Sequence, residues 1–424
     1  MASRFHMWQF IWVQIECFMH QDLAVELKLP IWIWEENLIL EHAVYNLEKV
    51  LLVTNDLGPK AGGIETFILG LISGLPKNSL IVYTSTQSGA KEFDYQLMEK
   101  FGVEVIRDRA KILLPTPRIT RKAASILKAR NINRVWFGAS APLALMSGKL
   151  RRSGATHIVA LSHGHELWWS RLPILKILMQ KIIKDVDFLG YLGDYTKSIL
   201  LKLDSTQKKL IQIAPGIDTE HFSPKGKNES LIAKHRLENR RVIVSVGRLV
   251  YRKGQDQLIE ALPKVLRKFP DAVLLFVGDG PIKRMLQNSA RQLGVANNIA
   301  FTGRVLHQDL PNYISLGEIF AMPVRSRFYG LEVEGLGIVY LEASACGLPV
   351  IAGNSGGAPD AVLEDVTGLV VNGSNSDEIA EAICNLLADP VRARQMGQAG
   401  RGWVIENWQL SSWSMKFNKM LLGD

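Results

Sequence analysis

The sequence has few cysteines, and those it has stand far apart. Cys17, Cys346 and Cys384 are odd in number and match no metal-ligand spacing, so neither a disulfide framework nor a structural zinc site is expected. No stretch approaches the ~18 apolar residues of a membrane-spanning helix. Zinc-finger spacing, an RNA-recognition signature and basic-region heptads are also lacking, so no nucleic-acid partner is expected. The sequence therefore predicts a protein of the reducing cytoplasm that is not integral to a membrane.

The charge of the chain is concentrated in one region. The net charge is +9 over 424 residues. Residues 101–250 hold 27 Lys and Arg against 11 Asp and Glu, whereas the remainder holds 23 against 30. A basic region of this kind indicates a polyanionic partner, either an anionic membrane surface or phosphates. The length and the 47% hydrophobic content predict at least two globular domains.

Residues 1–48 precede the first predicted strand and show little helical or strand periodicity. Trp8, Trp12, Trp32 and Trp34 crowd this segment, which lacks the basic start and the cleavage site of a signal peptide. We interpret it as an extension outside the core, which would also result from a mistaken start site. The alternative is an N-terminal anchor at a membrane interface, because Trp favours such interfaces.

The core begins with a short apolar strand, a glycine-containing loop and a helix. The strand is predicted over residues 50–54, the loop ends at Gly62 and Gly63, and the helix continues from Ile64. This order is typical of a doubly wound α/β domain, in which ligands bind at the carboxyl ends of the strands. The loop is not GxGxxG, so a dinucleotide fingerprint is absent, and two adjacent glycines are also found in tight turns.

A histidine-bearing loop follows a later strand of this half, predicted over residues 157–161. His163 and His165 stand at the end of that strand, where they could contact a sugar or carry a proton. A zinc site is weakly indicated because no third ligand is evident. A purely structural histidine pair remains the alternative.

A cationic helix with a broad apolar face is predicted from Ser170 to Lys184. Such a helix could lie on an anionic bilayer, or it could pack on its sheet with the lysines outward. A second basic helix is predicted from Arg118 to Arg130. The Asp185-Val186-Asp187 tripeptide matches the Asp-x-Asp of metal-dependent sugar transferases, but it stands at a helix end and is common by chance, so no metal is assigned to it.

A second doubly wound domain begins after a polar stretch at residues 225–239. Its first strand, residues 241–246, leads into a loop that carries Arg248 and Lys253. Two cations at a strand end could neutralise a diphosphate leaving group through charge-assisted hydrogen bonds. Solvated loop cations are the alternative interpretation.

The Gly-rich loop and helix at residues 327–345 are the most informative segment. Gly335 and Gly337 allow close approach of the backbone to a ligand, and the first N–H groups of the helix favour an anion. Glu342, two turns into the helix, could accept hydrogen bonds from a ribose, and Glu334 could bind hydroxyls of a sugar. The alternative is an ordinary α/β helix with exposed glutamates.

These motifs, in this order, resemble retaining glycosyltransferase family 4, whose members have the GT-B fold. The resemblance covers residues 49–424, and its most specific element is the Glu-x7-Glu motif, here Glu334 to Glu342. Within the family, residues 333–345 and 352–359 look most like the actinobacterial GDP-mannose-dependent phosphatidylinositol mannoside mannosyltransferases. The chain departs from these at the 48 extra residues and at Leu57-Gly58-Pro59 in the first loop.

The resemblance implies an α/β fold of two doubly wound Rossmann-like domains facing each other across a cleft, with a C-terminal helix that crosses back to the first domain. The implied boundaries are an N-terminal extension at 1–48, an acceptor-side domain at 49–222, a linker at 223–240, a nucleotide-sugar domain at 241–402 and the crossover helix at 403–424.

The resemblance also implies a role for each motif. The diphosphate would lie between the two cations, the start of the helix and the first Gly loop. Glu342 would bind the ribose and Glu334 the mannose. His163 would face the reacting sugar, with His165 as the second choice. The implied catalytic residues are Glu334, His163, Arg248 and Lys253. The implied donor-binding residues are Gly62, Gly63, Arg248, Lys253, Val305, Leu336, Gly337, Ile338, Val339 and Glu342.

The function implied is metal-independent, retaining transfer of α-mannose from GDP-mannose to a phosphatidylinositol mannoside. The enzyme would need no cofactor and would be peripheral on the cytoplasmic face of the cell membrane, in contact with anionic lipid. The alternatives are the same fold with a UDP-sugar and a soluble or polysaccharide acceptor, and a nucleotide-sugar-binding protein without activity.

Overall fold

The computed structural model describes residues 49–59, 62–203 and 209–423. These residues form two parallel β-sheets with helices on both faces, which confirms the predicted α/β architecture. The expectations for residues 1–48 lie outside the described part of the chain.

Seven described strands form the first sheet. They are β1 (Val50–Thr54), β2 (Leu80–Thr84), β3 (Glu104–Arg107), β4 (Arg134–Phe137), β5 (His157–Leu161), β6 (Phe188–Tyr191) and β7 (Leu210–Gln212). Their order is β3-β2-β1-β4-β5-β6-β7. Val50 lies opposite both Leu80 and Arg134, so β1 is paired on both sides. All of β1 is buried, as expected of a parallel strand covered on both faces.

The helices of this half cover the two faces of the first sheet. Val50 and Leu52 of β1 pack in one hydrophobic cluster, whereas Leu51 and Val53 pack in another on the opposite face. The helices are α1 (Gly63–Ser73), α2 (Ala90–Phe101), α3 (Pro117–Ala129), α4 (Ser147–Arg152), α5 (Pro173–Asp185) and α6 (Asp194–Leu201), with 3₁₀ turns at Leu143–Met146 and His165–Arg171.

The second sheet contains six strands among the described residues. They are β8 (Arg241–Val246), β9 (Ala272–Val277), β10 (Ile299–Gly303), β11 (Ile319–Met322), β12 (Val350–Gly353) and β13 (Gly368–Val371), in the order β10-β9-β8-β11-β12-β13. The chain order reverses next to β8, which is the switch point where ligands bind in open α/β sheets.

Four helices of the second half begin at a capping side chain or at a proline. Asn228 accepts a hydrogen bond from the Leu231 N–H, and Asp389 accepts one from the Arg392 N–H, each at the first turn of its helix. The helices are α7 (Glu229–His235), α8 (Gln255–Lys268), α9 (Lys283–Gln292), α10 (Leu310–Ile314), α11 (Ile338–Ala345), α12 (Ser376–Ala388), α13 (Pro390–Asn407) and α14 (Leu410–Leu422). Short 3₁₀ turns lie at Tyr251–Lys253, Ala296–Asn298, His307–Asp309, Phe328–Gly330 and Ala358–Ala361.

The last helix crosses back to the first domain, as predicted. α14 packs against α1 and β5, and its Phe417 ring lies 4.6 Å from the Trp136 ring of β4. The sequence predicted one helix from Trp403 onward. Instead α13 ends at Asn407 and α14 starts at Leu410, with Trp408 and Gln409 between them. There the Ile217 N–H donates to the Trp408 carbonyl at 2.6 Å, and the Leu410 N–H donates to the Ile217 carbonyl at 3.1 Å.

The helix predicted from Ser170 starts later and is preceded by a 3₁₀ turn. Pro173 occupies the first turn of α5, which its missing N–H permits. α3 lies within one residue of its predicted bounds. Within residues 49–59, 62–203 and 209–423, no helix combines the length and hydropathy needed to cross a bilayer.

Candidate active site

The predicted site residues lie at the carboxyl ends of strands from both sheets. Gly62 and Gly63 follow β1, His163 follows β5, and Lys253 follows β8. Glu334 stands between β11 and α11. The carboxyl ends of the two sheets face each other, because an alanine Cβ built at Gly335 of the second domain would lie 2.5 Å from the His163 carbonyl oxygen of the first.

Glu334 is buried between two cations. Lys253 Nζ lies 2.9 Å from Glu334 Oε2, and the Arg252 guanidinium donates to the same oxygen. Burial alone would raise the pKa of Glu334, but the two cations outweigh it and hold that pKa below its usual value. Burial lowers the pKa of Lys253, and Glu334 opposes that shift. The site thus holds a carboxylate whose position is fixed by charge-assisted hydrogen bonds.

Arg248 differs from Lys253 in its surroundings. Its side chain is exposed, and among the described residues its guanidinium has no carboxylate partner. Its carbonyl accepts a hydrogen bond from Gln255 Nε2 at 3.4 Å, which ties the loop after β8 to the start of α8. A guanidinium with unused donors at a strand end can bind a phosphate in a bidentate manner.

Helix α11 begins directly after Glu334. Gly337 has φ of +79° and ψ of 62°, a left-handed conformation that glycine adopts without strain. Leu336 is buried, and Ile338 and Val339 are half-buried. The first N–H groups of a helix have no acceptor within the helix, so this start provides donors for an anion.

Helix α11 starts at Ile338, so Glu342 lies about one turn into it and not the two turns expected from the sequence. Glu342 belongs to a group of titratable residues. Its Oε1 is 3.6 Å from His307 Nε2, and the His307 and His221 rings stack with centroids 5.7 Å apart. Burial would lower the pKa of His307, but Glu342 reverses this and raises it. Burial raises the pKa of Asp218, beside them, to about 6.

This group lines a crevice between the two domains. The crevice contains about 530 Å³ of space including its open mouth. Glu342, Ile338 and His307 line it from the second domain, and Thr66 and Phe67 of α1 line it from the first. Val305, two residues before His307, is half-buried and packs against the hydrophobic cluster that contains Phe67. Glu342 therefore faces the cleft between the domains.

The imidazole of His163 is held by its own domain. Its Nε2 lies 2.6 Å from the Gly138 carbonyl oxygen, and its backbone N–H donates to Glu166 Oε1 at 3.0 Å. The ring packs edge-on against Phe67 with centroids 5.7 Å apart. His163 is thus oriented at the edge of the cleft. The side chain of His165 lies outside the described part of the structure.

Gly63, at the end of the first Gly loop, has an open backbone. Gly63 is exposed, and no atom lies within 4 Å of a Cβ built there. Gly62 caps α1, and its carbonyl accepts from the Thr66 N–H at 3.0 Å. The start of α1 is therefore exposed at Gly63.

Sequence reasoning missed three residues of this region. Arg252 shares Glu334 with Lys253, His307 contacts Glu342, and Asp360 Oδ2 accepts from the Tyr195 N–H of the first domain at 3.0 Å. Arg252 could have been predicted as a site residue, because it is adjacent to Lys253 in the sequence. No local pattern marks His307 or Asp360, because their partners are 35 or more residues away along the chain.

The Asp-x-Asp tripeptide has a structural role. Asp187 Oδ2 accepts from Arg151 at 2.7 Å and from the Ile158 N–H at 2.7 Å, which ties α4 to the edge of β5 and β6. Asp185 closes α5 and pairs with Lys181. Neither carboxylate is part of the cleft site.

The chain was compared with known families and proteins. Residues 227–403 match the family model described as "Glycosyl transferases group 1". The chain is 42% identical over 88% of its length to a Mycolicibacterium smegmatis protein, of which it covers 98%, named GDP-mannose-dependent alpha-(1-6)-phosphatidylinositol monomannoside mannosyltransferase. The chain belongs to the group 1 glycosyltransferases.

Further relatives of this glycosyltransferase carry similar names. It is 40% identical over 89% of its length to the Mycobacterium tuberculosis protein of the same name, covering 99% of it. It is 42% identical over 87% of its length to a Corynebacterium glutamicum protein, covering 95% of it, whose name specifies a monoacylated phosphatidylinositol monomannoside.

Solved structures show the same fold for the glycosyltransferase. Anabaena HepE in complex with UDP superposes with a TM-score of 0.76 at 17% identity, over 89% of this chain and all of that one. Sucrose-phosphate synthase of Thermosynechococcus elongatus gives 0.70 at 19% identity, over 89% and 99%. The fold is therefore GT-B, as predicted.

Proposed function

We propose that this glycosyltransferase moves mannose from GDP-mannose to a phosphatidylinositol mannoside, with retention of configuration and without a metal. The observation that carries the proposal is the buried Lys253–Glu334 pair beside the start of α11, facing the first domain across the cleft. The names of relatives at 40–42% identity support the donor and the acceptor.

In this proposal the leaving group determines the rate. The anomeric C–O bond breaks with oxocarbenium character, so charge develops on the diphosphate and fixed positive groups lower the barrier. Arg248 is accessible for this task. Lys253 has three N–H donors, of which one is used by Glu334. The N–H groups around Leu336 to Val339 and the loop at Gly62 and Gly63 would complete the cradle.

The two glutamates would bind the sugars of the donor. Glu334, fixed by Lys253 and Arg252, would accept hydrogen bonds from mannose hydroxyls. Glu342 would accept them from the ribose, with Val305 nearby on the base side. His163 would line the face of the cleft where the acceptor hydroxyl attacks.

Retention by double displacement needs a carboxylate nucleophile beneath the anomeric carbon. Glu334 is a poor candidate, because two cations lower its pKa and occupy its oxygen. We therefore favour attack from the leaving-group face. The acceptor oxygen forms the new bond to carbon, and its proton moves to the departing phosphate oxygen.

The enzyme would work on lipid at the cytoplasmic face of the cell membrane as a peripheral protein. The test is incubation of the purified protein with radiolabelled GDP-mannose and membrane lipid extract, followed by identification of the labelled lipid. A panel with UDP-glucose and UDP-galactose, and a parallel set with EDTA, completes it.

We expect label from GDP-mannose in a phosphatidylinositol dimannoside, α-configured, with equal rates in EDTA. Transfer from a UDP-sugar instead would replace the donor assignment, and loss of rate in EDTA would contradict metal independence. Donor binding without transfer or hydrolysis would favour a binding protein.

A further inference from the structure

Three basic helices, together with α6, cover one face of the first sheet. Ile119 of α3, Leu150 of α4 and Met179 of α5 belong to a single hydrophobic cluster, together with Leu51 and Val53 of β1. The opposite face is covered by α1, α2 and α14, whose apolar residues belong to the other cluster. The solvent sides of α3, α4 and α5 therefore form one continuous surface, called here the three-helix face.

The three-helix face is strongly basic. The sequences of α3, α4 and α5 are PRITRKAASILKA, SGKLRR and PILKILMQKIIKD, with ten Lys and Arg and one acid, Asp185. Lys176 and Lys184 of α5 are exposed and have no carboxylate partner among the described residues. Arg118, Arg151 and Lys181 pair with carboxylates of this chain. The face nevertheless keeps a net positive charge that an anionic surface can contact.

Two large apolar side chains stand among these cations. Ile174 is 75% exposed and Ile177 is 64% exposed, one turn apart at the start of α5. The second half of the helix buries Met179, Ile182 and Ile183 against the sheet. An exposed isoleucine pair flanked by lysines is the pattern of a helix that lies in the headgroup region of a membrane.

The start of α5 adjoins the mouth of the cleft. Arg171, two residues before α5, donates to the Tyr329 carbonyl of the second domain. Tyr329 is fully exposed, and Phe328 beside it is 46% exposed. Both rings belong to the loop that leads to Glu334. The isoleucine pair and the aromatic pair thus flank the same edge of the site.

We propose that the three-helix face docks on an anionic bilayer, with Ile174 and Ile177 inserted among the lipid headgroups and the lysines and arginines on the lipid phosphates. This docking turns the cleft mouth toward the lipid, so that a lipid acceptor reaches the site without leaving the membrane. The proposal rests on the proposed lipid acceptor. Positive charge on the face matches an anionic lipid surface, and repulsion between like charges opposes a second copy of this chain.

The test is sedimentation of the full chain with two kinds of vesicle, phosphatidylcholine alone and phosphatidylcholine with 30% phosphatidylglycerol. Phosphatidylglycerol is the probe because it gives the vesicle a negative surface. Ile174→Ser/Ile177→Ser is compared with Tyr95→Ser/Met98→Ser. Tyr95 and Met98 are an exposed apolar pair with the same spacing on α2, whose buried residues lie on the opposite face of the sheet. Both pairs are exposed, so both variants should fold.

We expect wild type to bind the anionic vesicles and to lose binding in 0.5 M salt. The Ile174/Ile177 variant should bind about tenfold more weakly, and the Tyr95/Met98 control should match wild type. Equal binding of the Ile174/Ile177 variant, or equal binding to uncharged vesicles, would overturn the proposal. A change in oligomeric state of that variant by light scattering would assign the face to a second copy instead.

Activity separates this proposal from the proposed function. With an acceptor in vesicles, transfer by the Ile174/Ile177 variant should fall about tenfold, while transfer to a short-chain acceptor in solution should equal wild type. Failure of wild type to use the short-chain acceptor would count against the proposed function. Equal loss with both acceptors would count against docking.

Discussion

Arg248 and Lys253 stand five residues apart after the same strand, yet their environments differ. Removing each side chain should therefore have a different effect on the stability of the fold. Arg248 is exposed without a carboxylate partner among the described residues, whereas Lys253 holds the buried Glu334. Removal of a partner from a buried ion pair leaves an uncompensated charge. Substitution of Arg248 should therefore lower activity without lowering stability, whereas substitution of Lys253 should lower both.

We expect Arg248→Ala to lower kcat/KM about 100-fold, since one electrostatic contact to the leaving group is lost. Its free energy of unfolding should stay within about 0.5 kcal/mol of wild type.

Lys253→Ala and Glu334→Gln should lower turnover as strongly, and Lys253→Ala should also lower the free energy of unfolding by about 3 kcal/mol. Steady-state kinetics and urea unfolding measure both quantities.

Arg284→Ala is the matched control for this prediction. Arg284 is an exposed arginine on α9 without a carboxylate partner among the described residues. Wild-type kinetics are expected for it. If Arg248→Ala were as active as Arg284→Ala, the role of Arg248 at the diphosphate would be wrong.

Sequence could identify Glu334, Glu342 and Lys253 as site candidates because each stands in a recognisable local pattern. Lys253 follows β8, and Glu334 and Glu342 follow β11, so the parallel strands place all three at the same edge of the second sheet. The ion pair from Arg252 to Glu334 spans 82 residues, and nothing local specifies which of two adjacent cations turns toward the glutamate. The structure assigns both.

At the scale of elements, the connection between β3 and α3 depends on one carboxylate. Asp108 is buried and accepts from both Nη atoms of Arg118, at 2.9 and 2.8 Å, from Tyr83 Oη at 2.7 Å and from the Ala110 N–H at 2.8 Å. Hydrogen bonds from Arg118 hold the pKa of Asp108 well below its usual value, although burial opposes the shift.

Asp108→Asn should lower the free energy of unfolding by about 2 kcal/mol at pH 7, a value that allows for the half-exposed Arg118. A carboxylate with a depressed folded pKa stabilises the fold above its unfolded pKa and loses that contribution as pH falls through the folded one. The difference between wild type and variant should therefore shrink below about pH 4. Urea unfolding across pH measures it.

Asp365→Asn serves as a comparison, because Asp365 makes a surface pair with Arg392 in which both side chains are largely exposed. It should change stability by less than about 0.5 kcal/mol. A loss at Asp108 no larger than this, or one independent of pH, would contradict the assigned charge network.

The loop before α11 approaches the first domain more closely than a side chain allows. A Cβ at Gly335 would lie 2.5 Å from the His163 carbonyl oxygen, although its backbone conformation suits other residues. Gly335→Ala should hold the two domains apart and lower kcat at least tenfold, because small misplacements of reacting groups are costly.

Stability should separate this effect from misfolding. The unfolding free energy of Gly335→Ala should remain within about 1 kcal/mol of wild type. Gly402→Ala, where no atom lies within 4 Å of the new Cβ, should keep full activity. Wild-type kcat in Gly335→Ala would show that this approach is not needed for transfer.

The strands at residues 50–54, 157–161 and 241–246 were predictable from the sequence because each is a short apolar run that is almost entirely buried. The end of α13 was not. Its break at Trp408 and Gln409 is fixed by hydrogen bonds to Ile217, about 190 residues earlier, and no helix signal near residue 408 records that partner.

At the scale of the whole molecule, the two chain ends of the described structure stabilise the same domain. Phe417 of α14 is fully buried against Trp136 of β4. His157 Nε2 and Arg134 Nη1 also bind carbonyls of Met420 and Leu421. The first domain is thus completed by residues that follow the second.

Phe417→Ala should therefore destabilise the first domain by about 3–5 kcal/mol, the usual cost of an emptied aromatic site. Hydrogen exchange should rise in β4 and β5 and remain unchanged in β8 and β9. Met415→Ala, an exposed site on the same helix, should match wild type. Uniform loss of protection in both sheets would contradict separate stabilisation.

The pairing of Ile217 with Gln409 has a consequence for motion. Both passages of the chain between the domains run side by side there, joined by backbone hydrogen bonds. Sliding along this seam would break those bonds, whereas pivoting about it keeps them. We therefore expect any opening of the two domains to be a swing about this seam, with product leaving at the rim farthest from it.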